Sequence, residues 1–483
     1  MRLSSALIVL AGLGLVWGSL GAPAYGQGED EDPPNIVLIM ADDLGYGDLG
    51  SYGQTHIETP HLDRMAREGM RFTQFYAGST VCAPSRSVLM TGQHTGRTPI
   101  RGNSGPVRRR TGNTYIDGPI GDVPLSSDTE TIADMLKQRG YATGVFGKWG
   151  LGGPGSEGIP TKHGFDEFFG YIDHRSAHFY YPEFLFQARG DGPVERVPLE
   201  GNRVESNPYV PGSGHPENRG TYSHDAIMER AYSFVDRHQD EEPFFLYLPV
   251  TLPHAALSVP SEAREPYLND DGTSIFDEDP FSGGHYPPQS KPYATYAGMV
   301  SRLDRDVGKL FDKLRARGLD ENTIVLFTSD NGPHDAGGYE PSALDSNGPL
   351  RAGKGTLYEG GIRVPMIAWA PGRIPSGARS PHVSYLGDVM ATIAELVDAE
   401  PLKPNDSISF LPVLQGEENR QQTHEALYWE FTGGRTHQAV RYGKWKGVRR
   451  PMLEGAVELY NLERDLSERE NVASEHPDVV AQI

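Results

Sequence analysis

An α/β fold is what this sequence predicts: one large, mostly parallel sheet sandwiched by helices, with a small C-terminal antiparallel-sheet subdomain. Three observations carry that reading. Uninterrupted apolar runs recur along most of the chain, as in strands buried on both faces. Helical patterns lie between them, giving the β–α alternation of a layered sheet. After about residue 420 the runs turn short and are separated by turn-like residues, as in an antiparallel meander.

The first strand is Asn35-Ile36-Val37-Leu38-Ile39-Met40, which ends in Ala41-Asp42-Asp43-Leu44-Gly45. Further strands are expected at Tyr141 to Phe146, Pro243 to Val250, Thr323 to Thr328 and Val364 to Ala370. Helices are expected at Pro60 to Gly69, Thr129 to Arg139, Thr295 to Arg317 and Ser384 to Asp398. In the third, Met299, Leu303, Leu310, Phe311 and Leu314 share a face, leaving Arg302, Asp304, Lys309 and Asp312 for solvent. Proline- and glycine-rich stretches at Arg101 to Ser127, Arg189 to Gly220 and Ser258 to Pro292 read as long loops, candidates for the walls of a cleft. The terminal sheet is expected from Ala426 to Phe431, Gln438 to Tyr442, Trp445 to Arg449 and Val457 to Tyr460. His476 to Ile483 reads as the opening of a helix cut by the end of the chain. The expected division is a catalytic domain at 27–420 and a subdomain at 421–483.

Bulk properties narrow the partners. The chain has 483 residues and a net charge of −21, from 44 basic against 65 acidic residues. Nucleic acid is excluded as a main partner, because a phosphate backbone needs a broad basic face. An anionic ligand would have to be held by a local cationic pocket. Arg2, the apolar stretch Ala6 to Trp17 and the small residues Ala22-Pro23-Ala24 read as a signal peptide over 1–26, so a periplasmic or secreted location is expected. The apolar stretch falls short of the roughly 20 residues a spanning helix needs, so no stable membrane insertion is expected. With a single cysteine, no intramolecular disulfide can form.

That cysteine, Cys82, lies in Val81-Cys82-Ala83-Pro84-Ser85-Arg86, a strand-to-helix turn with Pro84 suited to the first helical position. A nucleophilic side chain and the Arg86 guanidinium at a helix N-terminus make a good site for an oxyanion. Read alone, a lone cysteine packs as a small buried apolar residue. Asp42 and Asp43 follow one apolar strand, and Asp330 and Asn331 follow another, in Thr328-Ser329-Asp330-Asn331-Gly332. Ligands gather at the carboxyl ends of strands in open α/β sheets. Three carboxylates and an amide suit a hard divalent cation such as Ca²⁺ better than Zn²⁺.

Residues 82–92 resemble the sulfatase signature C-x-P-S-R-x-x-x-x-T-G. Asp42 to Asp48 resembles the family's D-D-x-G-x-G-D, and Ser329 to Gly332 its S-D-N-G. Gly147-Lys148-Trp149, Pro253-His254 and the block from Gly353-Lys354 to Glu359-Gly360-Gly361 also look like sulfatase text, as does Leu459-Tyr460-Asn461-Leu462. The chain therefore resembles a type I, arylsulfatase-like enzyme of the alkaline phosphatase-like superfamily, a sulfuric ester hydrolase. The resemblance implies that Cys82 is converted to formylglycine by a separate maturation enzyme. It implies Ca²⁺ on Asp42, Asp43, Asp330 and Asn331, next to the modified Cys82. It also implies a sulfate clamp of Arg86, Lys148 and Lys354, with His254 serving the leaving alcohol and Asp330 the attacking hydroxyl. A sulfated glycan or small molecule is the expected substrate.

One position departs. Where the family commonly reads G-K-W-H, this chain has Gly147-Lys148-Trp149-Gly150. His178, in Ala177-His178-Phe179, is the candidate to replace the missing histidine, ahead of His163 and His174. Two alternatives follow: a phosphonate or phosphodiester hydrolase of the same superfamily, and a sulfated-glycan binding protein without turnover.

Overall fold

Ten strands form the main sheet of the computed structural model, which describes residues 32–103, 108–111, 114–117, 122–205, 211–238, 242–433 and 436–483, with backbone alone over 108–117. The expected signal peptide at 1–26 lies outside the described residues. In chain order the strands are β1 (Asn35–Asp42), β2 (Met70–Tyr76), β3 (Ala142–Lys148), β4 (Glu167–Tyr171), β5 (Phe184–Arg189), β6 (Glu195–Pro198), β7 (Phe244–Pro253), β8 (Thr323–Ser329), β9 (Met366–Trp369) and β10 (Ala378–Tyr385). Their order across the sheet is β10-β2-β9-β8-β1-β7-β3-β4-β5-β6. The central strands β8, β1, β7, β3 and β4 run parallel. β9 enters antiparallel between β8 and β2, and β5 and β6 close the other side antiparallel.

Alternation along β1 assigns its two faces. Val37, Ile39 and Ala41 pack into one core with α1 (Pro60–Glu68), α4 (Ser223–Arg237) and α5 (Pro292–Ala316). Ile36, Leu38 and Met40 pack into the other with α2 (Cys82–Thr91), α3 (Ile132–Gln138) and α6 (Asp388–Leu396). All eight residues of β1 are buried, as a continuous apolar run requires of a strand covered on both sides. Each such aliphatic side chain contributes about 1.5–3 kcal/mol over its exposed state.

The expected strands and helices are present, and so are elements the apolar pattern did not reveal. β2 (MRFTQFY), β10 (ARSPHVSY) and α4 are among them. On α5 the apolar face is as expected, but Arg302 and Asp304 are buried rather than solvated. Asp304 accepts from the backbone N–H groups of His61 and Leu62 at 3.2 and 2.7 Å, closing the first turn of α1. Arg302 pairs with Asp225 and, at 2.9 Å, with Glu262.

Four antiparallel strands form the C-terminal sheet: β11 (Ala426–Phe431), β12 (His437–Tyr442), β13 (Trp445–Arg449) and β14 (Val457–Asn461). Its inner face packs on Tyr76, Val88, Leu357 and Tyr358, beside α2. Lys446, fully buried, reaches Glu359 at 2.8 Å and Glu468 at 3.7 Å. Glu359 also receives the Tyr76 hydroxyl at 2.8 Å and Arg363 at 3.1 Å. Among the described residues no helix is long and apolar enough to cross a membrane.

Lys446→Met removes the cation that Glu359 and Glu468 share. It should cost about 3–5 kcal/mol, the usual penalty for stranding a buried charge. Urea unfolding measures this; an unchanged midpoint would show that the network does not hold the two sheets together.

Candidate active site

The parallel register brings four strand ends to one edge. Ala41 lies opposite Ser329, Asp42 opposite Pro253, and β3 ends at Lys148, two strands from β1. Asp42, Asp43, Asp330, Asn331, Lys148 and His254 therefore meet although they are separated by up to 289 positions (42 to 331) in sequence. Asp43 adopts a left-handed backbone conformation, φ 64°, as the chain turns off β1. Its N–H donates to Asp330 Oδ1 at 3.1 Å.

Helix α2 brings the signature residues to the same place. Cys82 is its first residue, and every side chain of the helix is buried. Ser85 accepts the Gly78 N–H at 3.1 Å and Asn103 accepts the Ala83 N–H at 2.9 Å, so the turn into the helix is fixed from both sides. The helix stops at Gly92, φ 67°, where a Cβ would sit 2.5 Å from Ser407 Oγ. Arg86 lies one turn beyond Cys82, on the same helix face.

Charge pairing is dense. Arg86 donates to Asp330 Oδ2 through Nε at 3.1 Å and an Nη at 2.8 Å, and to the Lys148 carbonyl. Lys148 Nζ donates to Asp42 Oδ2 at 2.7 Å, and Lys354 Nζ to Asp43 at 2.7 Å. Cys82 Sγ lies 3.3 Å from Asp42 Oδ1 and 3.4 Å from Lys354 Nζ. Burial disfavours every charge here, yet Lys148, His254, Arg86 and Lys354 hold Asp42 well below the usual carboxylate range. Burial, followed by the Asp42 charge, pushes Asp330 up to about 6. Burial, again followed by Asp42, pushes the Cys82 thiol far above its ordinary value, so the thiol stays protonated. A neutral, buried thiol is a poor nucleophile.

His254 completes the group. Its Nε2 lies 3.3 Å from Asp43 Oδ2, and its Nδ1 bonds to the Ala255 carbonyl. Tyr180 secures this turn by donating to the Thr251 and His254 carbonyls at 2.6 and 2.8 Å. Ligand atoms of Asp42, Asp43, Cys82 and His254 all fall within 4.8 Å of one another.

Residues 34–399 match the family model described as Sulfatase. The chain belongs to the sulfatase family. Residues 352–483 also match N-sulphoglucosamine sulphohydrolase, C-terminal. The chain is 36% identical over 445 residues to N-acetylgalactosamine-6-sulfatase of Canis lupus familiaris, covering 91% of this chain and 74% of that protein. It is 30% identical over 556 residues to N-acetylgalactosamine-6-O-sulfatase of Bacteroides thetaiotaomicron, covering 100% and 98%. The crystal structure of Ps i-CgsB aligns with a TM-score of 0.72 at 28% identity, covering 93% of this chain and 91% of that one. The protein is thus a sulfuric ester hydrolase of alkaline phosphatase-like architecture.

The oxygen-rich set of this sulfatase fits a hard cation on the molecule's own evidence. Asn331 Nδ2 donates to Asp43 Oδ1 at 2.6 Å, while Asn331 Oδ1 is buried with no hydrogen-bond donor among the described residues. A cation beside Asp42, Asp43 and Asp330 would satisfy that orphaned acceptor.

His178 also reaches the site: its ring stacks on His254 with centroids 4.3 Å apart. Burial and the neighbouring His254 hold it well below the ordinary imidazole range. His163 lies behind Trp149, with Nδ1 on the Thr129 carbonyl at 3.1 Å. Sequence reasoning missed His334, whose Nε2 accepts the Ala255 N–H at 2.8 Å and lies 3.9 Å from Asp43 Oδ2. Pro333-His334 repeats the form of Pro253-His254 directly after the second acidic turn, and that was the available signal. A cleft of about 730 Å³ opens outward from His334 and Lys354, past Asp335, Asp345 and Asn347.

Asp48 supports this corner from beneath. It accepts from Gly45 N at 2.6 Å, Ser346 Oγ at 2.5 Å and the Tyr296 hydroxyl at 2.7 Å. Burial outweighs these bonds and raises its pKa from 3.8 to about 7. Stability from this group is therefore fully present below 3.8 and is lost as pH rises toward 7. Asp48→Asn should flatten the wild type's decline across that window, measured as urea midpoints at its two ends. Superimposable pH profiles would refute the assignment.

Proposed function

We propose that this sulfatase hydrolyses sulfate esters of sulfated carbohydrates through a formylglycine made from Cys82, with Ca²⁺ bound by Asp42, Asp43, Asp330 and Asn331. The observation that carries the reading is the placement of Cys82. It begins a fully buried helix, with Arg86 on the same helix and Lys354 3.4 Å from its Sγ. The thiol itself is held protonated, whereas an aldehyde hydrate at the same point would carry hydroxyl groups among fixed charges. When bound, Ca²⁺ supplies a Lewis acid for sulfuryl oxygens, and formylglycine supplies the attacking hydroxyl.

The chain's own residues do the rest. Arg86, Lys148 and Lys354 bind sulfuryl oxygens and hold the sulfur in line with residue 82. Asp330, its carboxyl raised by burial to about 6, accepts the proton of the attacking hydroxyl. His254 and Lys354 serve the departing alcohol oxygen, and His178 buttresses the His254 ring by stacking. The alcohol portion lies in the cleft beyond Lys354, whose Asp335, Asp345 and Asn347 suit a hydroxyl-rich sugar. Relatives named for N-acetylgalactosamine sulfate, and a Ps i-CgsB complex with a neocarrahexaose, support a carbohydrate substrate. Residues 1–26 act as an export signal, giving a periplasmic or secreted enzyme matured by a formylglycine-generating enzyme.

Peptide mass spectrometry across residue 82, on protein from a host able to modify it, tests this reading alongside aryl sulfate and aryl phosphodiester assays. Formylglycine, Ca²⁺-dependent sulfate release and weaker phosphodiester turnover are expected. Cys82→Ala should abolish turnover, and Arg86→Ala should lower kcat by at least roughly 10²–10³. Full activity in Cys82→Ala, or complete modification without sulfate release, would sink it.

A further inference from the structure

We propose that His174, its ring fixed by Asp122, is the base that frees sulfate from residue 82 and restores the aldehyde; the inference rests on the function proposed above. It begins at Gly150. Its φ is +73°, and a Cβ built there would lie 3.6 Å from Arg86 Cδ and 3.9 Å from His174 Cβ. Nothing else comes within 4 Å of that point, so glycine leaves room beside Arg86, and His174 borders the room.

The backbone holds His174 there. Beyond the paired ends of β3 and β4, Trp149 N donates to Tyr171 O at 2.8 Å and Gly150 N to Ile172 O at 2.9 Å. His174 follows two residues later, tied to the strand end that carries Lys148. Asp122 then fixes it twice. Oδ2 accepts the His174 backbone N–H at 2.6 Å, and Oδ1 bonds Nδ1 of the ring. Both side chains are buried. A carboxylate on Nδ1 places the proton there and leaves the Nε2 lone pair available. Among the described residues, Nε2 has no hydrogen-bond partner.

The other site imidazoles are less suited. His254 has Nδ1 on the Ala255 carbonyl and Nε2 facing Asp43. His334 Nε2 already accepts the Ala255 N–H. His178 lies between His254 and His174, at ring distances of 4.3 and 5.9 Å, and among the described residues no carboxylate is paired with it. Burial, then His254, Lys148, His174 and Lys354 in that order, oppose its protonation. Around His174 itself stand Asp122, His178 and, past Gly150, Arg86, with Asp173 beside Asp122. Of these, only Asp122 places a carboxyl oxygen on the ring.

The step balances without a redox partner. Nε2 takes the proton of the hydroxyl that remains on residue 82. The O–H electron pair becomes the C=O bond, and the C–O bond to sulfate breaks with its pair leaving on sulfate. The imidazolium then returns its proton to water. Asp122 is a positioning residue in this scheme.

Rapid-quench mass spectrometry of the residue-82 peptide during aryl sulfate turnover tests it. His174→Ala should release one equivalent of phenol, retain SO₃ on the peptide and turn over roughly 100-fold or more slowly; His174→Gln should do the same. His178→Ala should not accumulate the sulfated peptide. Asp122→Asn should lower kcat with KM unchanged, and Asp122→Glu should restore it in part. A His174→Ala enzyme with kcat within a few-fold of wild type and no retained SO₃ would overturn the proposal. Imidazole ¹⁵N NMR on Cys82→Ala protein reads the pairing without turnover. It should show His174 as the Nδ1–H tautomer, lost in Asp122→Asn, and an unbiased tautomer mixture would also overturn it. Wild-type protein that carries formylglycine yet releases no sulfate would instead bring down the proposed function, while the NMR result still decides the His174–Asp122 pairing.

Discussion

Three carboxylates and three cations occupy one buried corner, and the pairing between them constrains nearly everything else. Asp42, Asp43 and Asp330 have no exposed surface, nor do Arg86 and Lys148. Removing one such ion from water costs several kcal/mol even after relaxation, so each needs a partner at hydrogen-bonding distance. The partners come from different strand ends, a helix and a loop, and the sheet order must deliver them in register. A one-residue slip of β8 against β1 would turn Asp330 and Asn331 away and leave Arg86 buried without its carboxylate. The set of side chains is neutral as it stands. A divalent cation and the released sulfate dianion held together would leave it neutral, which is the electrostatic reason one pocket could hold both.

The C-terminal sheet belongs to the same constraint. The loop carrying Lys354 leads into Tyr358 and Glu359, and both are held from the C-terminal side. Glu359 pairs with Lys446, and its N–H donates to Glu468 at 2.7 Å. Tyr358 donates to Glu458 at 2.6 Å, and the Arg351 guanidinium lies 3.8 Å above the Tyr358 ring. Trp429 reaches across to the Ala77 carbonyl at 2.9 Å, just ahead of the turn that presents Cys82. The small sheet thus steadies both sides of Cys82 without placing a side chain in the site. Burial dominates at Glu359, yet Lys446 and Arg363 hold its carboxyl down to about 2, so the pairing persists throughout the neutral range.

What could be read from the sequence followed from periodicity and local text. β1, β3, β7 and β8 each carry a mainly apolar run, and their ends carry the acidic and basic motifs, so fold and core site were both legible. β2 was not. Arg71 and Gln74 interrupt its run, because one reaches the Ser51 carbonyl and the other the Pro381 carbonyl. Burial of Arg302 and Asp304 was hidden for a related reason. Helical spacing shows which residues share a face, but it does not reveal a second helix whose free N–H groups need a carboxylate. Asp122 carries no signal at all, since its role exists only once the loop after β4 returns to it. His334 differs: its proline-histidine pair was visible, and only the partner, Asp43, was not.

A net charge of −21 opposes a sulfated glycan at long range, yet distance decides the matter. At physiological ionic strength, charges more than about 8 Å away through solvent are largely screened. Under the proposed function, the sulfate therefore responds to the walls of the pocket rather than to the whole surface. There the three cations are already held by carboxylates, so binding requires little reorganisation of side chains. Those same carboxylates keep the cations from drawing sulfate too tightly, which matters for an enzyme whose product carries more charge than its substrate. Buried pairing thus serves turnover as well as folding: it presents positive groups in fixed directions while moderating their pull. A pocket of unpaired lysines would be costly to bury and slow to release sulfate. In the proposed mechanism, the acidic corner beneath the clamp is what would let a strongly acidic protein bind an anion and let it go.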